Sequence, residues 1–160
     1  AHIDDQEVPL EETLGAFDRL IKAGKVRAIG ASNYSSDRLE QALAVSRDHG
    51  FARYELIQPL YNLHDRADFE SSLAKVASEH NLGVVSYFSL ASGFLTGKYA
   101  QLSDLEGNPR ADFLNGYFSD RGQRILDTLM AVSQEASAKP SQVALAWLLH
   151  QPEPFCLTFH

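Results

Sequence analysis

The chain has 160 residues, 44% of them hydrophobic and 22% charged, with a formal net charge of −7. That is the composition of an ordinary globular protein with enough length for a real core, which excludes disorder. Lys and Arg are scattered singly, so no basic stripe exists to neutralise the phosphates of a nucleic acid or to hold an anionic membrane.

No run approaches the roughly 20 apolar residues of a transmembrane helix, and the first residues lack the basic and apolar regions of a secretion signal; the expectation is a cytoplasmic protein. Cys156 is the one cysteine. It excludes an intramolecular disulfide and a cysteine-based zinc site within these residues, has no base near it in sequence, and reads as incidental. No metal site is expected.

In chain order, "PLEETLGAFDRLIKAGK" carries Leu10, Leu14, Phe17 and Ile21 at helical spacing, with Gly24 as the stop. "VRAIGASN" reads as a short strand. "SSDRLEQALAVSRDHG" restarts a helix behind a Ser/Asp cap, with Leu39, Ala42, Leu43 and Ser46 along one side. "YELIQPLYN" is the next extended run. "DFESSLAKVASEHN" places Phe69, Leu73, Val76 and His80 on one stripe, and "LGVVSYFSL" is a third strand. The three strands begin near Val26, Glu55 and Gly83, at intervals of 29 and 28 residues. Strands and helices alternating at that period are βα units, and parallel strands need such crossover helices.

Past residue 89 the rhythm changes. "ASGFLTGKYAQLSDLEGNPRADFLNGYFSD" has four glycines and no sustained period, and loops of that length in compact domains are usually functional or disordered. Two helices follow, in "DRGQRILDTLMAVSQEAS" and "SQVALAWLLHQ", the second opened by Pro140 and Ser141. The last residues, "PEPFCLTFH", have no helical period and fit a short strand or a tail. There is no interdomain linker: residues 1–151 read as one set of βα units and 152–160 as a divergent C-terminal tail.

In parallel βα proteins, ligands sit at the carboxyl ends of the strands. The first strand ends in Ser32 and Asn33, the second runs through Gln58 to Tyr61 and Asn62, and the third ends in Ser86, Tyr87 and Ser89. Neutral hydrogen-bonding groups with a flat aromatic suit a carboxamide-bearing, stackable ring better than a metal or a highly charged substrate. The loop beyond adds glycines for close backbone approach, and Lys98 and Arg110 for phosphate charge. Together these resemble a dinucleotide site. Singly, each residue has an ordinary structural reading: Ser and Asn as caps or turn residues, Gln58 before Pro59 as a ladder end, Tyr87 as core. Three successive strands presenting such groups at one edge favour the functional reading.

The stretches "GKVRAIGASNYS", "IQPLYNLHDR", "SYFSLASGFLTGKY" and "SQVALAWLLHQP" resemble, in order and spacing, consecutive signatures of the aldo-keto reductases. The resemblance covers residues 1 to about 151. It implies an α/β fold that is part of a (β/α)8 TIM barrel, and NAD(P)H-dependent reduction of aldehydes or ketones. By the resemblance, Ser32, Asn33 and Gln58 hydrogen-bond the nicotinamide carboxamide, and Tyr87 stacks on the ring. Phe88, Ser89, Leu90, Ala91 and Gly93 fall in the loop around the pyrophosphate, with Lys98 and Arg110 as phosphate contacts. Family members usually read Tyr-Ser-Pro-Leu where this chain has "YFSL", so Phe88 replaces a serine and with it a phosphate contact. His2 matches the histidine that orients and polarises the substrate carbonyl.

The family's proton-donating Tyr, with its Lys and Asp, precedes that histidine on earlier strands, and these 160 residues hold no counterpart. The expectation is therefore a truncated half-barrel of parallel βα units, completed by self-association into a homo-oligomer and weak or inactive as an NADP (or NAD) oxidoreductase by itself. The other reading is a noncatalytic nucleotide-binding module or a structural half-barrel. A phosphate-ester enzyme lacks acids and bases at the strand ends; Asp4 and Asp5 read as solvated. Tyr34 and Tyr61 lie near the correct edge, but no lysine stands close in sequence to activate either.

Overall fold

The computed structural model describes residues 1–109, 111–152 and 155–157. Two compact units emerge: Ala1–Pro59 with Ala67–Val85, and Leu60–Arg66 with the described residues from Ser86 onward.

The first unit holds helices α1 (Leu10–Lys22) and α2 (Ser36–His49), strands β1 (Ile29–Ser32) and β2 (Tyr54–Gln58), a π-helical turn (Phe69–Leu73) running into α3 (Ala74–Glu79), and strand β3, which begins at Gly83 and ends at Ser86. β1 and β2 pair in parallel, as do β2 and β3, so the alternation read from the sequence gives the expected ladder. β1 begins at Ile29 rather than near Val26. α1 ends as Gly24 predicts: Gly24 takes φ +67°, its N–H donates to the Ile21 carbonyl, and the Lys25 N–H donates to the Leu20 carbonyl. Those two bonds satisfy carbonyls the helix end would leave orphaned. α2 is capped by Ser35, whose hydroxyl accepts from the Arg38 N–H, and it buries Leu39, Ala42, Leu43 and Ser46 as the spacing predicts.

The stripe of the third helix departs from its expectation. Phe69 and Val76 are buried, but so is Ala77, while Leu73 and His80 are only half-buried. The π turn advances the helix by an extra residue, which rotates the stripe that a uniform 3.6 period would place on 69, 73, 76 and 80. In the core of this unit Leu14, Leu39, Tyr54 and Val84 are fully buried.

At Gly30 the facing strand leaves no room for a side chain. The register slips between Ile29 and Gly30, and a Cβ on Gly30 would lie 2.7 Å from Leu56 Cγ and 2.9 Å from the Leu56 carbonyl oxygen. A glycine at this bulge lets Ser32 come level with Gln58.

The second unit carries most of the aperiodic stretch. Its 3₁₀ turns span Ala91–Thr96, Leu102–Leu105 and Asn115–Tyr117, with a short α4 (Ala111–Leu114) among them. Two longer helices follow, α5 (Asp120–Glu135) and α6 (Pro140–Leu149), then the strand β4 (Phe155–Leu157). Ser119 caps α5 by accepting from the Gly122 N–H. The loop has its own core: Ala91, Phe94, Leu95, Leu105 and Leu114 pack with Leu126, Leu129 and Ala144. A stretch without sustained period is thus ordered by tertiary packing. Among the described residues, no helix is long and apolar enough to cross a membrane.

The bulge makes a prediction. Gly30→Ala should cost about 1–3 kcal/mol, read as a lower urea midpoint at unchanged slope. Leu56→Ala in the same chain should recover only part of the loss, because the Leu56 carbonyl still meets the added methyl. An unchanged midpoint for Gly30→Ala would show that the strands separate freely.

Candidate functional site

The first unit gathers four expected residues at the ends of β1 and β2. The Ala1 carbonyl accepts from the Ser32 N–H at 2.9 Å, and the Ala1 nitrogen donates to the Gly30 carbonyl at 2.6 Å, so residue 1 lies alongside β1. The Ser32 hydroxyl donates to the Gln58 carbonyl at 2.8 Å and accepts from Asn33 Nδ2 at 3.1 Å. Asn33 Nδ2 also donates to the His2 carbonyl at 2.8 Å. Asn33 stands at φ +58°, a left-handed conformation that Asn tolerates better than most residues. Ala1, His2, Ser32 and Gln58, with Gly30, Ala31 and Leu56, line a hollow of about 280 Å³.

That donor set can be tested against a carboxamide ligand. The Ser32 proton is committed to Gln58, so its hydroxyl offers only acceptor capacity. Among the described residues nothing pairs with the Gln58 side-chain amide, which carries both a donor and an acceptor. An acceptor beside an amide fits a carboxamide. The His2 side chain is exposed.

Asp4 is not the solvated residue expected. Its Oδ2 meets Arg38 Nε at 2.8 Å, with the Asp4 side chain 9% exposed. Asp5 accepts from the Glu7 N–H. The two acids anchor the segment ahead of α1, and neither is left to act in a carboxylate pair. Tyr34 and Tyr61 are also buried, the first with its hydroxyl 3.2 Å from that of Tyr54, the second donating to Gln151 at 3.4 Å. Both hydroxyls serve packing.

The second unit holds the rest. Tyr87 is half-buried, and its pKa is raised by burial first and by the Asp65 charge second, which keeps the hydroxyl protonated. The chain then turns through left-handed backbone at Phe88 (φ +51°), Ala91 (+49°), Ser92 (+56°) and Gly93 (+103°). Three of these are not glycine. Two N–H groups of this turn are spent inside it, Ala91 on the Phe88 carbonyl and Gly93 on the Leu90 carbonyl. The Phe88 ring packs on Tyr87 and Phe113. The buried Ser89 hydroxyl lies 3.1 Å from that of Ser86, and Leu90 packs on the core. Ala91 is fully buried and its N–H donates to the Phe88 carbonyl, so it holds the turn. Lys98 is exposed, and its Nζ lies 4.0 Å from where a Gly93 Cβ would stand and 4.5 Å from the centre of the Tyr99 ring. Arg110 lies outside the described residues. Among those residues no group of three or more His, Cys, Asp or Glu could hold a metal ion.

A polar cluster lies under this turn, of which the sequence reading named only Asn62, as a strand-end group; its side chain is instead committed within the protein. Asn62 is fully buried. Its Oδ1 accepts from the His64 and Asp65 N–H groups at 2.8 Å, and its Nδ2 donates to Asp65 Oδ2 and to the Phe88 carbonyl at 3.0 Å. Asp65 also accepts from the Tyr117 hydroxyl at 2.6 Å and lies 3.0 Å from His64 Nδ1. Burial acts to raise the Asp65 pKa, but the bonds from Tyr117, His64 and Asn62 outweigh it and hold it below the usual carboxylate range. The N-x-x-D spacing of 62–65 is a turn signal that points to half of the cluster. Tyr117, 52 residues beyond Asp65, leaves no local signal.

Parallel βα units with hydrogen-bonding groups at the strand ends define an α/β protein built as part of a larger parallel barrel or sheet. Residues 1–156 match the sequence profile of the aldo/keto reductase family, and the chain belongs to that family. It is 34% identical over 157 residues to aldo-keto reductase str7 of Strobilurus tenacellus, covering 96% of this chain and 46% of that protein. It is 32% identical over 155 residues to aldo-keto reductase YhdN of Bacillus subtilis, covering 94% and 45%. Among solved structures, the glycerol dehydrogenase AKR11B4 of Gluconobacter oxydans superposes with a TM-score of 0.76 at 27% identity, over 98% of this chain and 46% of that one. The chain thus spans about half the length of the relatives it matches, and its fold is similar to part of an aldo-keto reductase barrel.

The lowered Asp65 pKa predicts acid sensitivity. A carboxylate held below its unfolded value contributes stability that is fully present above about pH 5 and is lost as pH falls through the folded pKa. Asp65→Asn should therefore flatten the fall of the urea midpoint between about pH 6 and pH 3. Equal acid dependence in the two chains would show that Asp65 contributes nothing to it.

Proposed function

We propose that the chain carries the cofactor-binding half of an NAD(P)H-dependent reductase of aldehydes and ketones, with NADP or NAD as cofactor. The observation that carries this reading is the left-handed turn at 88–93 with the Lys98 ammonium beside it, within a stretch that matches the family. Ser32 and Gln58 in the first unit offer the acceptor and the amide that a carboxamide needs, and Asn33 holds the Ser32 hydroxyl in place. In the second unit Tyr87 supplies a flat face for stacking, the turn offers a pyrophosphate the N–H groups that the Phe88 and Leu90 carbonyls do not take, and Lys98 offsets its charge.

When bound, the nicotinamide supplies a hydride to the carbonyl carbon. The part of His2 is to donate a hydrogen bond to the carbonyl oxygen and orient it. Of the catalytic positions that the family resemblance implies, His2 is the one represented in these residues. A positioned acid contributes about 10²- to 10⁴-fold, so the 160 residues alone should bind cofactor and turn over carbonyls weakly or not at all. Neither Tyr34 nor Tyr61 is offered as that acid, since both are buried in packing roles. Self-association that completes the barrel, and a cytoplasmic setting, belong to the same reading.

The test is a fluorescence titration with NADPH. Saturable binding is expected, weakened about tenfold by Lys98→Ala through loss of a charge-assisted phosphate contact. Gln58→Ala should weaken NADPH while leaving 2′,5′-ADP, which has no nicotinamide, unchanged. No saturable change at millimolar NADPH would overturn the reading.

A further inference from the structure

We propose that Asn62 and Tyr117, joined through Asp65, are positioning residues that hold the 88–93 turn in its anion-binding form without touching the nucleotide. The inference rests on the cofactor reading above for its consequence, and on the geometry of the second unit for its cause.

The Phe88 carbonyl accepts twice, from Asn62 Nδ2 at 3.0 Å and from the Ala91 N–H at 2.7 Å. In a trans peptide the carbonyl and the following N–H point in opposite directions. Drawing the Phe88 oxygen toward the buried Asn62 therefore turns the Ser89 N–H away from it. The other end of the turn is held from the same centre. Tyr117, whose hydroxyl is bonded to Asp65, stacks on Phe94 with ring centres 5.4 Å apart and an interplanar angle of 18°. Asp65 Oδ2 accepts from both Asn62 Nδ2 and the Tyr117 hydroxyl, so the two anchors meet at one oxygen. Between those anchors stand Ala91, Ser92 and Gly93, all at positive φ.

A residue that only filled the core would affect global stability. One that holds the turn affects local order and ligand affinity together. The experiment uses Asn62→Ala and the milder Tyr117→Phe, which removes the Asp65 bond but keeps the ring on Phe94, in the 160-residue chain. Amide hydrogen exchange over residues 86–96 should rise about tenfold or more in either variant, while β1 and β2 keep their protection. The Kd for NADPH should rise about tenfold in Asn62→Ala and severalfold in Tyr117→Phe. Combining Tyr117→Phe with Lys98→Ala should give less than the sum of the two losses, because both act on one turn. Should Asn62→Ala not fold, Tyr117→Phe decides alone.

Unchanged exchange at 86–96 in a folded variant would overturn the proposal, and so would raised exchange with unchanged NADPH affinity. A wild-type chain that binds no NADPH would remove the cofactor reading; the exchange measurement would still decide whether Asn62 and Tyr117 hold the turn.

Discussion

Much in the second unit depends on one buried carboxamide. Asn62 has no contact with solvent, and its side chain makes four hydrogen bonds, two through each polar atom. An unsatisfied amide in that position would cost about 1–3 kcal/mol, so the cluster works as a whole or costs as a whole. Its effect on the site runs through Phe88. A left-handed conformation costs a non-glycine residue about 1–2 kcal/mol, and this loop carries three such residues, Phe88, Ala91 and Ser92. That strain persists only where the surroundings over-determine the backbone, which the Asn62 bond and the Phe94 stack do from opposite ends.

The first unit solves the corresponding problem with backbone. At the ends of β1 and β2 the polar groups are held level by a glycine that lets the strands close, and the Ser32 hydroxyl crosses from one strand to the other. Asn33 then ties the residue 1–2 segment to β1 through its amide. A rigid frame of this kind fixes which atoms remain for a ligand. The Ser32 proton is consumed by structure, whereas among the described residues the Gln58 side-chain amide is not.

What the sequence made legible follows the range of the forces involved. Helix α2 is read correctly from its Ser35 cap to the identity of its buried face, because capping and 3.6 periodicity are local. The strand-end residues are legible for the same reason: a parallel ladder of regular βα units brings Ser32 level with Gln58. The stripe of the third helix fails at a π turn, which no pattern of apolar residues announces. The packing within the stretch from 91 to 117 left no periodic signal, since its core comes from Phe94, Leu105 and Leu114 packing on α5 and α6. Asp4 shows the same limit in miniature. Its partner Arg38 is 34 residues away, so an acid that looks solvated in sequence is a buried half of an ion pair.

The buried network also bears on how a charged ligand could be held by a protein with a net charge of −7. A pyrophosphate approaching such a surface gains little from long-range attraction, and an exposed lysine such as Lys98 is screened within about 10 Å at ordinary ionic strength. Attraction must then come from short-range donors fixed in advance, whose ordering cost is met in folding rather than in binding. On the cofactor reading proposed above, the 88–93 turn, held from beneath by Asn62, Asp65 and Tyr117, is the element that meets that requirement. On that reading, the acidic balance of the chain and the support under one short loop answer to the same physical constraint.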